Sequence, residues 1–354
     1  MAIETDVIVV GHGLAGAHAA HQLLLEGCKV VVFSDEKYRA SSVAAGLWHP
    51  LRIRSVEWSW LADEVFPFAH QTYTRMEDAW NASFFHPKTM LHDIPDLNFQ
   101  GVWQRQMEKL GRGLGFRAGN DYRPSETGMG EIQEAGWLDT PMFLHASKKA
   151  LGEKLLETTF QYDHLQLVDD GVEYNDWKAK VVLFCEGNRL ALNPWFSHLP
   201  MNPAKGEVMK VKIEGIPEKE IYHAGFFLIP LGDQTFRFGS NFRWDRFDWN
   251  PSEEDASILI EKLEKTIGRK VEVLEHLSGV RPANHSRRPF AGFHPEYNQL
   301  AILNAFGSKG VILSPFFAHQ WVQHWKNGKE MNEEVNPKTI KIPKIKENKT
   351  TFVP

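Results

Sequence analysis

A six-residue turn near the start of the chain constrains everything that follows it. Gly11-His12-Gly13-Leu14-Ala15-Gly16 comes directly after Asp6-Val7-Ile8-Val9-Val10 and opens the alanine- and leucine-rich stretch Ala17 to Glu26. Gly27 closes that helical pattern as a C-cap, and Lys29 to Phe33 reads as a second strand. Runs that are β-branched at nearly every position suit strands buried on both faces, so residues 6–33 read as a β-turn-α-β unit. In such a unit Gly11 takes the tight turn, Gly13 lets backbone approach a pyrophosphate, and Gly16 lets the helix lie close on the strand. The helix N-terminus offers N–H groups to the phosphates. Placed between strand and helix, the pattern reads as dinucleotide-binding. The acid that holds the ribose should end the second strand, where Ser34 stands with Asp35 and Glu36 following. Either Asp35, after a small shift, or Ser34 takes that part.

At 354 residues the chain has a full core and about two domains. Charged residues make up 24% and apolar ones 42%, which excludes a disordered or fibrous protein. A net charge of −5 gives no bulk attraction to nucleic acid, although a local basic stripe stays open. Two cysteines cannot build a disulfide framework and favour a reducing compartment. No apolar stretch approaches the roughly 20 residues a bilayer needs. The opening, with Glu4 and Asp6 and no basic lead, does not read as a signal peptide. A cytoplasmic protein with no membrane partner is therefore expected. The 12 Trp and 23 Phe should fill cores first and line flat slots for ring cofactors second.

From Arg39 to Pro50 the chain is rich in small residues, among them Ser41, Ser42, Ala44, Ala45 and Gly46, so backbone there can approach something flat or charged. Residues 56–82 show helical spacing, whereas 84–135 read as strands and loops of an inserted layer. Thr140 to Thr158 reads as a helix and Ala179 to Gly187 as another buried strand. Residues 205–245 alternate like an antiparallel sheet. Ser252 caps a helix reaching Ile267, with Ile258, Leu259 and Leu263 as its core stripe. Gln299 to Asn304 is a last strand, and Gly307-Ser308-Lys309-Gly310 feeds a helix through Trp321 and Trp325. That second turn repeats the N-terminal logic, with N–H groups and a helix dipole aimed at an anion. The tail past Gly328, dotted with Lys338, Lys341, Lys344, Lys346 and Lys349, reads as a solvated arm, with a basic contact strip as the alternative.

In this order the landmarks resemble the D-amino acid oxidase family of FAD-dependent oxidoreductases, and within it glycine oxidase-like and sarcosine oxidase-like enzymes. The motifs are the glycine turn, Ser41 to Gly46, Gly136-Trp-Leu-Asp139, Phe184-Cys-Glu-Gly187, Lys205-Gly206 with Leu228 to Pro230, Gly279-Val-Arg-Pro282, and Gly307 to Gly310. The resemblance implies an α/β fold (α+β overall). A Rossmann-like FAD-binding domain would take 1–82, 136–200 and 270–328, an antiparallel-sheet substrate domain 83–135 and 201–269, and a tail 329–354. It implies non-covalent FAD, its pyrophosphate over Gly11, Gly13, Leu14, Ala15 and Gly16. The ring would lie between Ser41, Ser42, Ala45, Gly46 and Leu47 on one side and Gly307, Ser308, Lys309, Gly310 and Val311 on the other. Cys185 and Gly187 would border the cofactor from their strand end. A thioether link through Cys28 or Cys185 is not expected, and His49 is the alternative for a covalent bond.

The implied activity is loss of a hydride from a carbon bearing a neutral amine, giving an imine that water hydrolyses. Oxygen or an electron carrier would then reoxidise the flavin. Such chemistry depends on positioning, and the sequence accordingly shows no Ser-His-Asp set, HExxH or Cys-rich metal pattern. By the same resemblance Arg281 holds the carboxylate of a small amine or amino acid. Phe227 stands where a Tyr often assists, Leu231 where a basic residue is common, and Lys309 is the candidate cation of the last turn. A homo-oligomer is compatible with this reading. The Ser42–Pro50 loop also resembles the flavin domain of the bifunctional enzyme that trims a carboxymethylaminomethyl group from wobble uridine in tRNA. Arg52, Arg54 and the tail lean that way; the net charge and the lack of a fused methyltransferase lean against it. A flavin-binding protein without turnover is the third reading.

Overall fold

The structure is a computed structural model that describes residues 2–35, 40–123 and 126–340. Val7–Val10 lies at the centre of a six-stranded sheet, ordered Leu155–Leu156, Val30–Phe33, Val7–Val10, Val181–Phe184, Leu300–Asn304, Phe290–Phe293. Its strands pair in parallel except for the last, which runs antiparallel to Leu300–Asn304. Alternation along the strands explains their composition. Val7, Val9, Val30 and Val32 pack on helices Leu14–Leu25 and Gly310–Asn327, while Ile8, Val10, Val31 and Phe33 pack on Val172 and Tyr174 of a small four-stranded sheet. Both faces are covered, so neither tolerates a polar residue.

An eight-stranded sheet stands beside this layer, ordered Glu272–Arg281, Ala204–Lys212, Thr235–Gly239, Phe227–Gly232, Ile221–His223, Met90–Asp93, Met129–Ile132, Leu114–Arg117. Neighbours are antiparallel except Ile221–His223 and Met90–Asp93. Helix Glu253–Ile267 covers one face through Leu259, Leu263 and Ile267, and the Ser252 hydroxyl caps it by accepting from Asp255 N–H. Ile258 does not join that stripe: it is 59% exposed, one residue round the helix from the buried line. Glu272–Arg281 is hydrogen-bonded into this sheet through Ala204–Lys212, although the sequence grouped 270–328 with the cofactor segments.

Two further expectations change. The inserted layer contains a helix, Leu97–Leu110, capped by the Asp96 carboxylate on Phe99 N–H and ended by Gly111 at φ 67. Its Trp103 is fully buried against Gly130, where an added Cβ would lie 2.2 Å from the indole. The helix expected to reach Thr158 stops at Leu151, because Gly152 turns the chain at φ 55 so that Leu155–Leu156 can join the parallel sheet. Helix Ala62–Trp80 lies within 56–82 as expected. No described helix is long and apolar enough to cross a membrane. Glu36, Arg39 and the lysines from Lys341 onward lie outside the described residues.

Candidate active site

Two helix N-termini converge at the carboxyl ends of the parallel strands Val7–Val10 and Leu300–Asn304. Leu14–Leu25 begins after Gly13, which offers no side-chain cap, and Gly310–Asn327 begins after Lys309, again uncapped; neither has an acid in its first turn. They sit side by side, since a Cβ added at Gly310 would lie 3.2 Å from a Leu14 methyl. The Tyr73 hydroxyl ties them down by donating to the Val311 carbonyl (2.7 Å). N–H groups and dipoles of one sign therefore point into the same space.

The glycines of the first turn have separate duties. Gly11 has φ 101, and a Cβ there would come 2.5 Å from the Cys185 carbonyl oxygen. At Gly16 a Cβ would lie 1.8 Å from the Gly11 carbonyl oxygen, so this residue permits helix–turn packing and does not itself line the cleft. Gly13 faces open space apart from the Ser41 hydroxyl at 3.1 Å, as an approach to a ligand requires. Ser41 is drawn in from its short helix to accept from Leu14 N–H (3.2 Å), and Ser34 accepts from His12 N–H (3.0 Å). Ser42 points elsewhere: it is exposed and does not line the cleft.

One continuous cleft runs from this loop to the eight-stranded sheet. Gly11, Gly13, Leu14, Ala15, Ser34, Asp35, Ser41, Ala45, Gly46, Leu47, Cys185, Gly187, Gly307 to Val311, Phe227 and Arg281 all line it. Asp35 meets protein partners there, accepting from Thr159 (2.8 Å) and pairing with Arg189 (3.0 Å). Burial pushes the Cys185 thiol well up, so it stays protonated. Gly46, at φ 75, lets the small-residue loop lie close against the Leu138 carbonyl, where an added Cβ would come 1.9 Å from the oxygen.

At the far end Arg281 lies in the space that Gly206 leaves free, where a Cβ would meet its guanidinium at 2.0 Å. That contact gives the Lys205-Gly206 pair its reason. Arg281 donates to the Ser240 hydroxyl (2.7 Å) and stacks over Phe242 (4.3 Å). It has no carboxylate partner among the described residues, and desolvation lowers its pKa to about 10, so it stays charged at neutral pH. Lys309 opens to the cleft; desolvation, then Arg288, Arg52 and Arg287, lowers its pKa. Arg189, His223, Ser240 and Phe242 line the same cleft. Nothing local in the sequence marks them, because each arrives through strand pairing or a 3-10 turn.

The parts suit FAD: two helix N-termini whose N-cap residues, Gly13 and Lys309, make no side-chain cap, a glycine face at Gly13, and walls of Phe33, Trp48, Phe160 and Phe306 for flat rings. A mostly parallel sheet carrying the glycine turn shares one cleft with a large, mostly antiparallel sheet, an arrangement suited to holding a flavin beside its substrate. The chain belongs to the DAO family of FAD-dependent oxidoreductases, whose model matches residues 6–323, and FAD is its cofactor.

Among curated proteins it is 25% identical to the tRNA 5-methylaminomethyl-2-thiouridine biosynthesis bifunctional protein MnmC of Marinobacter nauticus, over 89% of this chain and 55% of that one. The chain thus spans about half the length of the curated relatives it matches. Glycine oxidase from Geobacillus kaustophilus superposes with a TM-score of 0.77 at 19% identity, covering 93% of this chain and 96% of that one. Iminodiacetate oxidase from a Chelativorans species gives 0.78 at 17%, covering 94% and 99%.

Five imidazoles are held neutral by burial, with pKa values lowered to about 3 (His18, His49, His92) or about 4 (His21, His223). Unfolding exposes them at about 6.5, so the unfolded chain binds more protons below that pH. Stability is therefore complete above pH 6.5 and falls as the pH drops toward 4. Each such histidine costs about 1.4 kcal/mol per pH unit in that window. Denaturant unfolding at pH 7.5, 6 and 5 is expected to show the midpoint falling, most steeply below pH 6; an unchanged midpoint would mean these rings are not buried neutral.

Proposed function

We propose that the protein oxidises the C–N bond of a small amine that carries a carboxylate. The observation supporting this is Arg281, a desolvated guanidinium on the cleft with no acid beside it among the described residues. Its planar fork suits two parallel hydrogen bonds to a carboxylate, fixing orientation as well as distance. Bound FAD supplies the acceptor for the two electrons and hydrogen that leave the carbon next to nitrogen. This chain's part is to hold the carboxylate on Arg281 and to wall the reacting segment with Phe227. The eight-stranded sheet is then the substrate-binding unit and the six-stranded layer the FAD-binding unit. Loss of hydride leaves an imine, and water releases the carbonyl product and the amine. Oxygen or an electron carrier takes the electrons from the flavin.

The test is an anaerobic panel of amines with and without carboxylates, followed by bleaching of the flavin absorption. Rapid bleaching by carboxylated members alone is expected. Bleaching by none would leave a flavoprotein without amine turnover.

A second reading, supported by the relatives named MnmC, is oxidation of a carboxylated amine on a tRNA nucleoside. Retention on a tRNA column that weakens steeply with salt would favour it.

A further inference from the structure

Helix Gly310–Asn327 carries a proline in its second turn, Pro315, which has no N–H to donate. The carbonyl it would have served, four residues back, is that of Val311. That carbonyl belongs to the first turn of the helix, and both Gly310 and Val311 line the cleft. Among the described residues, the N–H groups of Ile312 and Leu313 donate to the Lys309 carbonyl, leaving those of Gly310 and Val311 to a ligand.

A side chain from another helix takes the carbonyl that Pro315 leaves open. Tyr73, on Ala62–Trp80, donates its hydroxyl to the Val311 oxygen at 2.7 Å. Its one hydrogen is then used, so His18 Nε2, 3.1 Å away, must donate to the same hydroxyl. Both side chains are buried. Their rings are clamped as well, Tyr73 stacking on Phe85 (4.7 Å) and His18 on Phe143 (5.0 Å). Burial keeps the imidazole neutral and the phenol protonated, so this hydrogen-bonded chain adds no net charge.

Without the hydroxyl, the Val311 oxygen would be a buried partial negative charge with no donor, next to the two N–H groups on the cleft. It would oppose the field that the helix N-terminus directs there. Two-electron reduction moves a flavin ring from neutral toward anionic, and a helix N-terminus favours the anion. We infer that Tyr73 is a positioning residue that raises the reduction potential of bound FAD, by satisfying the carbonyl that Pro315 cannot. His18 holds the hydroxyl in its donating orientation.

Anaerobic titration of the holoenzyme against a reference dye reads the potential. Tyr73→Phe is expected to lower the preference for reduced over oxidised flavin by about tenfold, which is about 30 mV in a two-electron potential. In a Pro315→Ala background the same change should shift the potential little, because the restored N–H reaches the Val311 carbonyl from within the helix. The loss of melting temperature should remain in that background, since His18 still lacks its acceptor. An unchanged potential in Tyr73→Phe, even with weaker FAD binding or a lower melting temperature, overturns the inference and leaves Tyr73 a brace between helices. So does an equal shift in both backgrounds. Should Tyr73→Phe alone fail to hold FAD, recovery of bound flavin in the double variant supports the inference and continued loss overturns it.

Discussion

Gly16→Val is expected to give a colourless, poorly folding protein, and Gly13→Val a folded but equally colourless one. The two glycines stand three residues apart and face different neighbours. At Gly16 a Cβ would sit 1.8 Å from the Gly11 carbonyl and 3.4 Å from Cys185 Cβ, so the helix must lift off the turn that begins it. That is backbone against backbone, which no rotamer relieves, and overpacking of this kind costs about 3 kcal/mol or more. At Gly13 the protein itself leaves room, with the Ser41 hydroxyl alone at 3.1 Å, and its φ of −87 suits any residue. A valine there fills the space a pyrophosphate needs, and FAD should bind roughly a hundredfold more weakly or not at all. Circular dichroism and flavin absorbance per mole of protein separate the outcomes. A Gly13→Val protein that keeps the parent's FAD would mean the first turn is not the phosphate cradle.

The first turn was legible because its requirements are local. Strand, glycines and helix lie within residues 6–33, and the spacing Gly11 to Gly16 brings those two together, although Gly11 also faces Cys185 and Gly13 faces Ser41. Gly279 to Pro282 was legible as a motif, but what surrounds Arg281 was not. Gly206, Ser240 and Phe242 reach it from two other stretches of chain, and only the ladder through Ala204–Lys212 shows why Gly206 lacks a side chain. His223 and His92 stand 131 positions apart and meet through a parallel pair in an otherwise antiparallel sheet. No spacing in the sequence encodes that contact. The missed helix Leu97–Leu110 differs again: its cap, Asp96, and its stop, Gly111, are both present in the sequence. Gly101 inside it and the glycines after it disguised a helix whose buried anchor is the single Trp103. Ile258 was misplaced because a stripe read one residue off looks equally periodic until the sheet beneath it is known.

Arg281→Ala is expected to lower the efficiency of flavin reduction by carboxylated amines by roughly 30- to 4000-fold, with fold and FAD retained. The range corresponds to the loss of a desolvated charge pair, about 2–5 kcal/mol. Retention of the fold follows from the surroundings of the side chain. Its bonds go to the Ser240 hydroxyl and, at 3.4 Å, to the carbonyls of Lys205 and Asn241, with no acid left unpaired by its removal among the described residues. Arg281→Lys should recover only part of the efficiency, because an ammonium keeps the charge but not the planar fork. Gly206→Ala offers a subtler probe. Its methyl would press on the guanidinium at 2.0 Å, and the flexible arm can yield, so the protein should fold while Arg281 is pushed off its position. An intermediate loss is expected, confined to substrates that carry the carboxylate. Anaerobic stopped-flow reduction with a carboxylated amine and its decarboxylated counterpart separates anchoring from general damage. The parent should distinguish the two strongly and Arg281→Ala should not, because the slower substrate never used the guanidinium. Equal slowing of both, or of neither, would place the carboxylate elsewhere in the cleft, with Lys309 and Arg189, the other cations lining it among the described residues, as the next to test.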